Sequence, residues 1–171
     1  MTQREILPPA IECIFSPCRL FRYTWELVWD PSRPLCVFCG LNPSTADENS
    51  PDPTVRRCIA FAKAWGYGGL LMLNLFAFRA TEPRDMKATA DPIGPDNNYW
   101  LRSSARRVVD TGGLIVAAWG AHGKFMNRAD DVATLLLVME GVPLHYLKLT
   151  KGGEPGHPLY LKGDLTPKRW G

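Results

Sequence analysis

Apolar and polar positions alternate from residue 21 to 29, with Phe21, Tyr23, Trp25, Leu27 and Trp29 on one side and Arg22, Thr24 and Glu26 between them. A period of two marks a half-buried strand. A turn through Asp30-Pro31-Ser32-Arg33-Pro34 separates it from residues 35–41, which are apolar on both faces, as in a central strand covered from two sides. The period then changes. Asp52 precedes Pro53 and a run that reaches Trp65 and stops at Gly66. That arrangement predicts a helix with Asp52 as its cap, proline at its first position and glycine past its end. Residues 69–76 predict a second buried strand, and Gly94-Pro95 opens a helix to about 110 that Gly112-Gly113 terminates. Residues 114–119 predict a third apolar strand, 124–140 a helix closed by Gly141, and 144–149 a short fourth strand. The tail after Leu161 is basic (Lys162, Lys168, Arg169), punctuated by glycine and proline, and reads as loop.

Strands alternating with helices predict an α/β fold of three layers, α/β/α, with a central, mainly parallel sheet joined by right-handed crossovers, plus the N-terminal strand. The 171 residues, 46% hydrophobic and 22% charged, suit one α/β domain over 1–171 with its core at about 20–161. A net charge of +3 tolerates a polyanionic partner without requiring one. No run approaches 18 apolar residues, and residues 1–5 lack a basic stretch followed by an apolar one, so a cytoplasmic protein with no membrane partner is expected. Five cysteines, an odd number confined to the first third, suggest reduced thiols rather than a disulfide framework. Cys36 and Cys39 have the spacing of a metal or redox pair, but on a strand they point to opposite faces and read as core. No metal and no cofactor is expected, and nothing in the sequence sets the oligomeric state.

The candidate chemistry gathers where the strands end. Gly40-Leu41-Asn42-Pro43-Ser44-Thr45-Ala46-Asp47 follows the first central strand, Asn74 interrupts the apolar run of the second, Trp119-Gly120-Ala121-His122 ends the third, and a late loop from Thr150 to Pro158 carries His157. Ligands of open α/β sheets bind at the carboxyl ends of the strands, so one cleft could collect all four. Each feature also has a structural reading. Asn42 can cap its own turn, Asn74 can be a satisfied buried amide, His157 an ordinary loop histidine and His122 a helix-start residue. Arg56 and Arg57, near the start of the helix at 53–65, are a solvated face or a phosphate contact.

In this order the motifs resemble the uracil-DNA glycosylase superfamily, whose members carry Gly-x-Asp/Asn-Pro after the first core strand, an Asn in the second, Trp-Gly ending the third and His-Pro in a late loop. The Asn-Pro form is most similar to the mismatch-specific thymine/uracil branch. The fuller wording, Leu-Asn-Pro-Ser-Thr-Ala-Asp, Asp52-Pro-Thr-Val-Arg-Arg-Cys58, Asn74-Leu-Phe-Ala-Phe-Arg79, Ala118-Trp-Gly-Ala-His122 and His157-Pro-Leu-Tyr160, resembles a bacterial family of unknown function. The glycosylase resemblance implies that fold and an N-glycosylase that hydrolyses the base–sugar bond of a uracil-like or modified base in nucleic acid. It implies that Asn42 orients the attacking water, His157 stabilises the departing base, and Asn74 reads the edge of a flipped base stacked on Trp65, Phe76 or Phe78. It implies flanking phosphates held by Ser44, Thr45 and the amides from Lys151 to Gly153; Pro43, Trp119 and Arg56 complete the expected substrate-binding residues. Two departures stand out: Ser44-Thr45 follows Asn-Pro, and Leu159-Tyr160 follows His157-Pro158, which makes Leu159 or Tyr160 the candidate wedge. Asp47 is a rival water-activating group. An enzyme of free nucleotides or nucleosides and a catalytically silent base-binding module are the alternative readings.

Overall fold

In the computed structural model, which describes residues 9–45 and 49–170, seven strands join in one sheet. They are β1 (Ile11–Phe15), β2 (Arg22–Val28), β3 (Leu35–Gly40), β4 (Gly69–Asn74), β5 (Leu114–Ala117), β6 (Leu144–Tyr146) and β7 (Lys168–Trp170), in the order β1-β2-β4-β3-β5-β6-β7. β3 runs parallel to β4 and to β5, and β5 to β6. β1–β2, β2–β4 and β6–β7 are antiparallel. The sheet is therefore mixed rather than mainly parallel, with a parallel centre flanked by antiparallel margins.

Four α-helices cover it: α1 (Pro53–Ala64), α2 (Pro83–Ala88), α3 (Asn97–Asp110) and α4 (Arg128–Ala133), the last continuing into a π turn over Thr134–Met139. Alternate residues of each strand serve opposite faces. Cys36, Phe38, Leu70, Met72 and Val116 pack with Val55, Cys58 and Phe61 of α1. Val37, Cys39, Leu71, Leu73 and Ile115 pack with Met86, Leu101, Val108 and Val132 of the other helices. Cys36 and Cys39 thus lie in different cores, as their spacing on a strand requires. Burial pushes the Cys39 thiol up to about 12, so it is a neutral packing group. Among the described residues no helix is long and apolar enough to cross a membrane.

The capping of α1 is as the sequence predicts: the Asp52 carboxylate accepts from the Val55 amide at 2.8 Å, and Pro53 opens the helix. Several ends differ. β4 stops at Asn74, two residues before the end of its apolar run, and Leu75 and Phe76 both turn into the α2–α4 core. The helix expected over 124–140 starts earlier as a 3-10 turn at Ala121 and breaks at Phe125 and Met126 before α4. The tail is not all loop, because Lys168–Trp170 pairs with β6. Trp170 packs edge-on against Trp119, with ring centres 5.6 Å apart, and that apolar anchor brings the polar tail to the sheet.

Candidate active site

A cavity of about 730 Å³ opens where β3, β4 and β5 end. Phe38, Met72 and Ala118 give it an apolar lining, and the loop from Leu41 to Ser44, Asn74, the segment from Trp119 to His122 and the turn from His157 to Leu161 complete it. Asn42, Pro43, Ser44, Asn74, Trp119 and His157, six of the residues the sequence singles out, are brought together here.

Asn74 is 6% exposed, and its side-chain amide has no hydrogen-bond partner among the described residues. A buried polar group without a partner is rare, and at a cavity wall it is free to meet a ligand. Gly40, its partner in the β3–β4 register, makes room for it, because a Cβ there would come within 2.9 Å of the Asn74 Oδ1. Asn42 is oriented by two carbonyls: its Nδ2 donates to Ala80 O at 2.8 Å and Pro43 O at 3.1 Å. An amide nitrogen faced by two carbonyls fixes which end is oxygen, so Oδ1 remains the free acceptor.

His157 is half-buried, and its Nδ1 accepts from the Leu159 amide at 3.3 Å. Accepting at Nδ1 places the proton of the neutral ring on Nε2, leaving a donor there. Burial lowers the pKa of His157 below the ordinary 6.5, and the nearby Asp52 charge works in the opposite direction. Asp52 accepts from the Ser44 hydroxyl at 2.9 Å while capping α1, so it ties the loop after β3 to the helix as well.

The loop that carries His157 is tightly bound rather than flexible. Trp119 Nε1 donates to Glu154 Oε2 at 2.7 Å, Gly120 N to Pro155 O at 2.8 Å, and Gly156 N to Lys148 O at 2.7 Å. Trp119 lines the cavity and also holds this loop in place through Glu154.

Other expected residues lie elsewhere. Phe76 is fully buried in the opposite core, against Phe125 at 5.7 Å between ring centres, because β4 ends before the alternation reaches it. Trp65 stacks on Phe38 and donates to Leu165 O at 3.1 Å, while Phe78 packs edge-on against Phe21; neither lines the cavity. Thr45 does not line the cavity but bonds Thr81, which does, at 2.8 Å, and Arg56 donates to Pro51 O at 3.1 Å on the exposed start of α1. Lys151 is exposed beyond the lining. Asp47 and residues 1–5 lie outside the described residues.

The cavity also recruits residues that no local signal in the sequence assigns to it. Arg22 lines it, although the alternation groups that residue with Thr24 and Glu26; the β1–β2 register slips between Ile14 and Phe15, just where Arg22 pairs. Phe38, Asp52 and Glu82 line it as well, while His122, which the sequence places at the cleft, lines it with its Nδ1 2.9 Å from Lys87 Nζ. The Asp52-Pro53 cap signal marks a helix start; only the fold places that start beside the loop after β3.

A family model described as protein of unknown function (DUF1643) matches residues 22–159. No curated protein matches the chain, and no solved structure does.

Proposed function

The chain belongs to the DUF1643 family, whose function is unknown, and from the chemistry of its cavity we propose that it is a nucleobase N-glycosylase acting on a uracil-like or modified base in nucleic acid. The observation that carries this reading is the unpartnered amide of Asn74 in the same cavity as a free acceptor, Asn42 Oδ1, and a free donor, His157 Nε2. A primary amide offers a donor and an acceptor side by side, which is the complement of a pyrimidine edge. The cavity volume, about 730 Å³, accommodates a base with its sugar.

In this mechanism the bond from the sugar carbon to the base nitrogen breaks, and its electron pair leaves with the base. The neutral imidazole of His157 donates through Nε2 to the base oxygen as negative charge grows there. Positive charge grows on the sugar, and the Asp52 carboxylate in the cavity wall favours it. Asn42 Oδ1 accepts from the water that attacks the sugar carbon. An amide is a weak base, so the leaving-group contact supplies most of the acceleration; once the new C–O bond has formed the water's proton passes to solvent, and the departed base anion takes up a proton from solvent in its place.

The test is mass-spectrometric detection of free base from single- and double-stranded DNA and RNA oligonucleotides that contain uracil, mismatched thymine, hypoxanthine or modified pyrimidines. Release of a base by the wild type and its loss in Asn42→Ala and His157→Ala is the expected result. A folded protein that releases no base from any substrate overturns the reading in favour of nucleotide-level chemistry or a binding module.

A further inference from the structure

The ion pairs of the described residues are made by arginines: Arg33 with Asp30, Arg84 with Asp85, Arg102 and Arg106 with Glu140, Arg107 with Glu26. No lysine among the described residues is paired with a carboxylate, and four of them cluster at one side of the cavity. Lys148 and His122 line its mouth. Lys87 Nζ lies 2.9 Å from His122 Nδ1 and 5.3 Å from the centre of the Phe125 ring. Lys124 Nζ donates to Gly152 O at 2.9 Å, next to Lys151. Lys87, His122 and Lys124 thus lie along the segments 121–124 and 148–152, where Lys148 lines the cavity and exposed Lys151 adjoins Gly152 in the chain, and together they form a basic rim.

Two features show the rim to be held in place. A protonated lysine only donates, so Lys87 fixes His122 as an acceptor at Nδ1 and leaves its Nε2 proton for a ligand. The segment that carries His122 and Lys124 is followed by two successive left-handed residues, Met126 at φ 55° and Asn127 at φ 56°. Left-handed backbone at a non-glycine residue persists only where the surrounding structure enforces it, and such strain concentrates at ligand sites. The carboxylates nearby do not neutralise the lysines: Glu154 is held by Trp119 and Asp52 by Val55 and Ser44, and Glu82, exposed on the cavity wall, pairs with none.

We propose that this rim binds the phosphodiester backbone of a polynucleotide, so that the substrate reaches the cavity as part of a polymer rather than as a free nucleoside. The second half of this statement rests on the reading of the cavity as a base pocket; the first half does not. Several unpaired ammonium groups in a row suit a chain of phosphates, which positions a nucleic acid without reading its sequence.

The test is fluorescence anisotropy of a labelled oligothymidylate over a salt series. Log affinity is expected to fall linearly with log salt, with a slope that flattens by roughly 0.7 for each phosphate contact removed. Lys148→Gln with Lys151→Gln comes first, because neither side chain makes a described contact on which the fold depends; Lys87→Gln and Lys124→Gln are then added. Arg33→Gln, in the turn before β3 at the far end of the sheet, leaves the slope unchanged. Thymidine monophosphate displaces the oligomer only weakly. An unchanged slope in the folded lysine variants, or no oligomer binding by the wild type, overturns the proposal, as does equal displacement by the mononucleotide. Asn74→Ala and His157→Ala separate the two readings, since they retain oligomer binding while losing base recognition or release. A lysine-dependent slope without base release leaves the rim standing and removes the glycosylase, and base release with a lysine-independent slope does the reverse.

Discussion

Asn74 and Asn97 are both buried at the carboxyl end of β4, at 6% and 1% exposure, yet their amides are committed to different ends. Asn97 donates from Nδ2 to the carbonyls of Asn74 and Leu75, each at 3.0 Å, and Arg128 adds a bond to Leu75 O at 2.8 Å. The carbonyls of Asn74 and Leu75 are therefore satisfied from the α3 and α4 side. On the α1 side the Asn74 amide has no backbone to serve and lies open to the cavity. Burial of a polar side chain is common to both; what marks the site is hydrogen-bonding capacity left over after the fold has used what it needs.

The contrast can be tested in order of expected effect. On the cavity side, His157→Ala removes the proposed donor to the leaving base and should lower the rate of base release about 10²–10³-fold while the near-ultraviolet spectrum of the fold is unchanged. A rate within a few-fold of wild type would remove His157 from the mechanism. On the structural side, Asn97→Ala leaves the Asn74 carbonyl buried without its donor and should cost about 1–3 kcal/mol in urea unfolding. Asn74→Ala should cost less than about 1 kcal/mol, since it breaks no protein hydrogen bond; the reverse order of stabilities would dissolve the comparison.

Trp119→Phe occupies the boundary between the two. It strips Glu154 of its indole partner and should destabilise the protein by about 1–2 kcal/mol, with slower base release because the His157 loop loosens. Adding Glu154→Leu should recover stability, because no orphaned carboxylate then remains, and no recovery would show that the pair does not hold the loop. The smallest effect is on pH. In the proposed mechanism His157 works neutral, and burial holds its pKa below 6.5, so base release should persist through neutral pH and fall only as acid protonates the ring. Asp52→Asn retains a helix cap but removes the charge that raises this pKa, and should move the acid midpoint further down. A wild-type midpoint at or above 6.5, or an upward move in the variant, would contradict the assignment.

Much of the site was legible because its signals are local. The Asp52-Pro53 cap, the two-sided apolar runs of β3 and β4, and the polar residues at the ends of successive strands are readable from neighbours in the chain. The misreadings share a cause, which is that the deciding partner lies far away in sequence. The glycosylase resemblance offered Phe76 as a stacking partner for the base that Asn74 reads, but Asn97 and Arg128 capture the carbonyls of Asn74 and Leu75 and Phe76 packs into the other core. The glycines of the late loop suggest flexibility, whereas Trp119 binds it from 35 residues away. β7 has only three residues in a basic tail, and its strand exists because β6 is beside it and Trp170 meets Trp119. Arg22 reached the cavity wall through a register slip that no alternation displays.

The most direct test follows the side-chain amides of Asn74 and Asn97 by nitrogen–proton correlation spectroscopy while free uracil or a related base is titrated into the labelled protein. The Asn74 amide signals are expected to shift and saturate while those of Asn97 stay in place. If neither amide responds at any base concentration, or both respond alike, the free amide in the cavity is not a base-reading group and the proposed function falls with it.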